Sequence, residues 1–94
     1  MLLMYTKTMV VNNEVGLHAR TATFFVQKAN EYKCAVWIEK EERRANAKSL
    51  LGVLSLGIVK GTEVTVGADG TDEISAVNGL EELVESNFRE FETK

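Results

Sequence analysis

The chain has a single histidine, His18, and its neighbours define what it could do. Gly16 gives a flexible turn before it, a helical pattern begins at Ala19, and Arg20 falls in the first helical turn. A neutral imidazole is a nucleophile that can take up and pass on a phosphoryl group. Unpaired backbone N–H groups at a helix start bind an anion, and the helix dipole adds partial positive charge there. Arg20 supplies a fork of donors suited to phosphate. Gly16-Leu17-His18-Ala19-Arg20 therefore places a nucleophile, an anion site and a guanidinium within one turn. The same residues also describe a surface histidine beside a helix start, and spacing alone does not separate the two.

A second candidate is Ser49, at the start of a short apolar helix pattern. It reads as an N-cap serine, and equally as a phosphorylation site close to Lys48. A phosphate there would be favoured by the helix terminus and would repel an acidic partner. Leu50, Leu51 and Leu54 are too many apolar residues for two helical turns to bury on one side. Some of them facing solvent would make a small docking patch; the alternative is that all pack inward. Cys34 reads as a small core residue, and Trp37 and Phe24 are isolated aromatics rather than a nucleic-acid stacking platform. There is no GxxxxGK[ST], no HExxH and no Ser-His-Asp set. With one His and one Cys, and no suitable carboxylate cluster, neither a metal site nor a cofactor is expected.

These residues need elements to hold them. Alternation and β-branched residues predict a strand over 4–11, broken at Asn12-Asn13-Glu14-Val15-Gly16. Ala19, Ala22, Val26 and Ala29 form an apolar stripe with Phe25 beside it, predicting a helix from about Ala19 to Asn30. Residues 34–39 suit a strand. The charged turn Lys40-Glu41-Glu42 leads to a short strand around 43–46 without the Asn-Gly signal of a tight hairpin. The short helix over 48–54 opens near Ser49, and Gly57 is placed to stop it. Residues 62–67 are the clearest strand, followed by a turn at Ala68-Asp69-Gly70. Thr71 or Asp72 can cap a last helix, with Glu73 also favourable at its positive end. Its stripe of Val77, Leu80, Val84, Phe88 and Phe91, widened by Ile74 and Leu83, carries it to about Phe88 or beyond. The order is βαββαβα, an α+β class with helices on one face of a sheet. Periodicity does not separate a ferredoxin-like fold with an extra helix from other two-layer sandwiches of this order.

Composition narrows the classes. The chain has 94 residues, a formal net charge of −3 and no proline, where average usage of about 5% gives roughly four or five. That is one small domain, 1–94, with one modest core. A single Cys excludes an internal disulfide framework and a CxxC zinc site. The apolar start at Met1–Tyr5 is too short for a signal peptide or membrane span, so a cytoplasmic protein without membrane insertion is expected. Mild acidity argues against direct nucleic-acid binding. Residues 1–60 carry nine Lys/Arg against five Asp/Glu, whereas 61–94 carry two against nine. This reads as a solvated acidic C-terminal helix, or as a weakly basic face offered to an acidic partner or phosphate.

Gly16-Leu17-His18-Ala19-Arg20 resembles the active-site motif of the HPr family, the histidine-containing phosphocarriers of the bacterial sugar phosphotransferase system. The segment from Asn46 to Gly57 is similar to the regulatory-serine region of HPr from Gram-positive bacteria. Lys60-Gly61-Thr62-Glu63-Val64-Thr65 and the acidic start at Asp72-Glu73 also fit, so the resemblance runs from about Thr6 to Phe88. It implies an open-faced β-sandwich, four antiparallel strands in order 1-4-2-3 with three helices on one face. It further implies that His18 is phosphorylated on a ring nitrogen, in the family Nδ1, by enzyme I charged from phosphoenolpyruvate. The group would pass to sugar-specific IIA domains, with Arg20 steadying it. Ser49 would be the target of the ATP-dependent HPr kinase/phosphorylase. Leu50, Leu51, Leu54 and Thr21 would belong to a docking surface shared by enzyme I, IIA domains and the catabolite-control repressor.

Two positions depart from the family pattern. Thr21 stands where most members have proline, and Val15 where most have a small polar residue. Proline is pre-organised for a first helical turn. Threonine restores an N–H and a hydroxyl and is expected to loosen the turn; Val15 removes a hydrogen-bonding partner for the loop. Both bear on transfer rate and partner choice rather than on the chemistry. The resemblance therefore implies a phosphoryl carrier, not an enzyme in its own right. The alternative is an HPr-like regulatory paralogue, a phospho-Ser49-dependent binding module in catabolite repression. The family's paralogue of that kind lacks the active-site histidine, which is present here as His18. A carrier of a nitrogen- or metabolism-regulating branch is a third reading, against which the Ser49 segment argues.

Overall fold

The computed structural model describes residues 4–89. Alternating burial along each strand decides which way the sheet faces. In β1 (Tyr5–Val11), Met9 and Val11 point inward while Thr6, Thr8 and Val10 face out. Val36 and Ile38 of β2 (Ala35–Lys40) and Val64, Val66 and Ala68 of β4 (Thr62–Asp69) fill the same inner layer. The short edge strand β3 (Arg43–Asn46) completes the sheet. All pairings are antiparallel and the order is β1-β4-β2-β3, so the sheet is not ferredoxin-like.

Three helices cover the inner face. α1 (Ala19–Ala29) buries Ala22, Phe25 and Ala29; α2 (Leu50–Ser55) buries Val53; α3 (Glu73–Glu85) buries Ala76, Val77, Leu80, Leu83 and Val84. Phe25, expected beside the α1 stripe, is at its centre, whereas Ala19 is exposed and Val26 only half-buried. Among the described residues no helix covers the outer face. Trp37 lies flat across Gly67, its cross-strand partner, where an added Cβ would stand 2.5 Å from the ring. The Arg44 guanidinium sits 4.8 Å from the Trp37 ring centroid and 3.6 Å from the Glu39 carboxylate.

Several boundaries differ from the sequence expectation. β4 runs on to Asp69 because Ala68 still pairs with Tyr5 on one side and Val36 on the other. α3 stops at Glu85 rather than near Phe88. The Asn87 N–H donates to the Val84 carbonyl and the Phe88 N–H to the Leu83 carbonyl, with Asn87 in the left-handed region at φ 59. This is a Schellman ending with asparagine in the place usually taken by glycine. Phe88 keeps its apolar role by packing back into the core; Phe91 lies outside the described residues. Asp72 occupies the N-cap position of α3 but makes no cap bond. Its carboxylate accepts instead from the backbone N–H groups of Lys33 (2.9 Å) and Cys34 (3.0 Å). The Lys33 N–H leads in holding its carboxyl below the usual carboxylate range. Cys34 is buried, and that burial raises its thiol to about 11.

Candidate functional site

The loop before α1 is built backwards from Gly16. That residue has φ +64, and a Cβ on it would come within 2.5 Å of the Ile58 carbonyl oxygen and 2.7 Å of Val59 Cα. Only glycine meets both conditions. Asn13, buried beneath the loop, donates from Nδ2 to the Gly16 carbonyl at 2.9 Å and accepts the Gly16 N–H on its own carbonyl at 3.2 Å. Leu17 is buried and donates its N–H to the Ile58 carbonyl at 3.0 Å. The loop is thereby fastened to the segment that follows α2.

These fastenings place His18 at the N-cap of α1, extended in backbone and exposed in side chain. Its carbonyl accepts the Ala22 N–H at 2.7 Å and so begins the helix. The His18 side chain takes the capping-box position towards the Thr21 backbone N–H without closing a full cap hydrogen bond. Thr21 supplies one in return: its Oγ1 accepts the His18 backbone N–H at 3.0 Å and donates to the Gly16 carbonyl. The threonine expected to loosen the turn thus links its two ends. Arg20 is exposed, with its guanidinium 5.7 Å from the Phe24 ring centroid on the same helix face. The amides of Ala19 and Arg20 precede the first intrahelical bonds and lie at the positive end of the dipole. A reactive ring nitrogen, amide donors and a guanidinium thus share one exposed helix start, an arrangement suited to receiving and holding a phosphoryl group.

Ser49 heads α2, and its Oγ accepts the Gly52 N–H at 3.1 Å. Lys48, expected near a phosphate on Ser49, directs its Nζ to the Tyr32 carbonyl at 2.7 Å. Asn30, at the end of α1, reaches the Lys48 carbonyl at 3.4 Å. α1 and α2 therefore lie side by side in opposite directions, with His18 at one end of the pair and Ser49 at the other. Leu51 is 81% exposed and Leu50 38%, while Leu54 is half-buried against the core. These leucines belong to the helix that packs beside the one His18 begins. Val15 and Val59, on the two segments that meet at Gly16, are exposed apolar residues near the histidine end.

The far end of α2 is anchored by cations from the β2–β3 hairpin. Lys40 Nζ donates to the carbonyls of Leu56 (3.0 Å) and Gly57 (3.2 Å), and Arg43 Nη2 to that of Ser55 (2.7 Å). Cations suit the negative end of a helix, and here they steady the segment whose Ile58 carbonyl holds Leu17. Asn13, Ile58, Lys40 and Arg43 were not singled out from the sequence. For Asn13 the adjacent turn residues were a signal; the other contacts are non-local and left none.

Residues 5–86 match the family described as the PTS HPr component phosphorylation site. The chain is 37% identical over 89 residues to phosphocarrier protein HPr of Neisseria meningitidis serogroup A, covering 95% of this chain and all of that one. Its fold is similar to the crystal structure of HPr-C-His from Thermoanaerobacter tengcongensis, with TM-score 0.89, 41% identity and coverage of 90% and 96% of the two chains. It is also similar to Crh, the catabolite repression protein of Bacillus subtilis, with TM-score 0.72, 42% identity and coverage of 84% and 91%. With the motif, the sheet order and these relatives in agreement, the chain belongs to the HPr family of phosphocarrier proteins.

Proposed function

We propose that the chain carries a phosphoryl group on His18, receiving it from phosphorylated enzyme I and delivering it to IIA domains in the cytoplasm. The observation that carries this reading is the exposed His18 ring at the start of α1, with Arg20 in the same turn and a backbone fastened on both sides. In each transfer the neutral ring nitrogen attacks phosphorus as the bond from phosphorus to the donor breaks. The N–P bond so formed breaks in turn when the acceptor's nucleophile attacks. Arg20 and the first-turn amides offset the charge on the transferring group. The chain acts as a carrier, modified and restored by its partners. Their docking surface is assigned to the exposed side of α2, with Leu50, Leu51 and Leu54; Thr21, expected with them, has its hydroxyl bonded within the loop.

Incubation with phosphoenolpyruvate and purified enzyme I tests this. The expected result is an acid-labile phosphoryl group on wild type that is lost in His18→Ala. No label on a chain that folds normally, beside a labelled HPr control, overturns the reading.

The 42% identity to Crh favours a second role, regulation through phosphorylated Ser49 by HPr kinase/phosphorylase and binding to a catabolite-control repressor. ATP and that kinase should then give an acid-stable phosphate absent from Ser49→Ala. Equal labelling of Ser49→Ala and wild type would remove Ser49 from this role.

A further inference from the structure

We propose that Thr21 is a positioning residue for His18, and that its hydroxyl sets the rate of phosphoryl transfer rather than the strength of docking. The proposal rests on the carrier reading of His18. Its basis is the convergence of backbone groups on one oxygen. Thr21 Oγ1 has a single hydrogen, donated to the Gly16 carbonyl, and it accepts the His18 N–H at 3.0 Å. The His18 carbonyl lies 3.4 Å from the same oxygen. Gly16 O receives Asn13 Nδ2 as well, so two side-chain donors hold this carbonyl. The hydroxyl therefore spans the residues on both sides of Leu17 and closes the loop at the His18 backbone.

A proline at this position would restrict the helix start through its ring but would offer no acceptor to the His18 N–H. Here the same backbone is held by a hydrogen-bonded bridge. Its loss leaves the His18 N–H without this acceptor and removes one donor from Gly16 O. The imidazole is then free to leave the line between the first-turn amides and the incoming phosphorus. A misplaced nucleophile slows the chemical step, whereas the exposed surfaces that partners touch remain.

The test compares wild type with Thr21→Val, which keeps the shape and deletes the hydroxyl, and Thr21→Ser, which keeps the hydroxyl. Thr21→Ala replaces the valine variant if that chain does not fold. Steady-state transfer from enzyme I is measured against carrier concentration, together with the first-order loss of phosphate from each purified phosphorylated chain. Thr21→Val is expected to lower kcat about tenfold with KM within about twofold, while Thr21→Ser stays within about threefold of wild type. Spontaneous phosphate loss should also change in Thr21→Val and return to the wild-type rate in Thr21→Ser. Three results overturn the proposal: a folded valine or alanine variant that matches wild type in both assays, a KM effect with kcat unchanged, or a serine variant as slow as valine. Failure of wild type itself to take label would instead strike the carrier reading.

Discussion

Both candidate modification sites are N-cap residues, yet they divide structural and chemical work in opposite ways. At α2 the reactive atom and the structural atom coincide: Ser49 Oγ accepts the Gly52 N–H, and a group attached there must change its own cap. At α1 most of the structural work falls on other atoms. The His18 ring is exposed, while Gly16, Asn13, Leu17 and Thr21 hold the loop through other atoms. A carrier that is charged and discharged repeatedly needs that separation, because each phosphorylation then leaves the fold unchanged. A regulatory site has the opposite use for it, since a modification that alters a helix end changes the surface beside Leu50 and Leu51.

The comparison can be broken first at His18. His18→Ala is expected to abolish labelling from enzyme I while changing unfolding free energy by less than about 0.5 kcal/mol, measured by denaturant melts. Gly16→Ala should reverse this pattern, because it strikes the support rather than the ring. The left-handed φ and the contact with the Ile58 carbonyl are expected to lower stability by about 3 kcal/mol, seen as a fall in the denaturation midpoint. Ser49→Ala should reduce stability by about 1 kcal/mol through loss of the cap, with transfer through His18 intact. An Ser49→Ala chain as stable as wild type would show that the α2 cap does not depend on its hydroxyl.

A smaller effect comes from the acid side. The carboxyl of Asp72 is held below its ordinary range, chiefly by the Lys33 N–H. Its stabilisation is therefore present above the ordinary carboxylate pKa and is lost as pH falls through the lowered value in the folded chain. Thermal melts between neutral and strongly acid pH should show a shallower acid loss for Asp72→Asn than for wild type. The smallest effect is expected in the β2–β3 turn, where Glu41 has φ 57. Glu41→Gly should raise stability by up to about 1 kcal/mol in the same denaturant melts, without touching either site.

The elements are readable in order from local periods such as the alternation in β4, the Val77-Leu80-Val84 spacing in α3, and in α1 the Ala19-Ala22-Val26-Ala29 stripe, whose centre the structure moves to Phe25. The end of α3 is not legible, because Phe88 continues the apolar spacing even though the chain reaches the core there by a left-handed turn at Asn87. Strand order came from family resemblance, since no local pattern states which strands are neighbours. The candidate residues of the site are legible for the same local reason, lying within one turn around His18. Their supports are not. Leu17 depends on Ile58, and the end of α2 depends on Lys40 and Arg43, through contacts between segments far apart in the chain. Thr21 was visible as a departure, but only the folded loop shows its hydroxyl facing Gly16 and His18.

The most direct measurement is nuclear magnetic resonance of the chain charged by phosphoenolpyruvate and enzyme I, recording phosphorus and backbone amides together. The account predicts one phosphohistidine signal, shifted amides at Ala19 and Arg20, and an unmoved Gly52 amide at the head of α2. A charged chain without a phosphohistidine signal, or amide changes centred on Gly52 rather than on the start of α1, would contradict it.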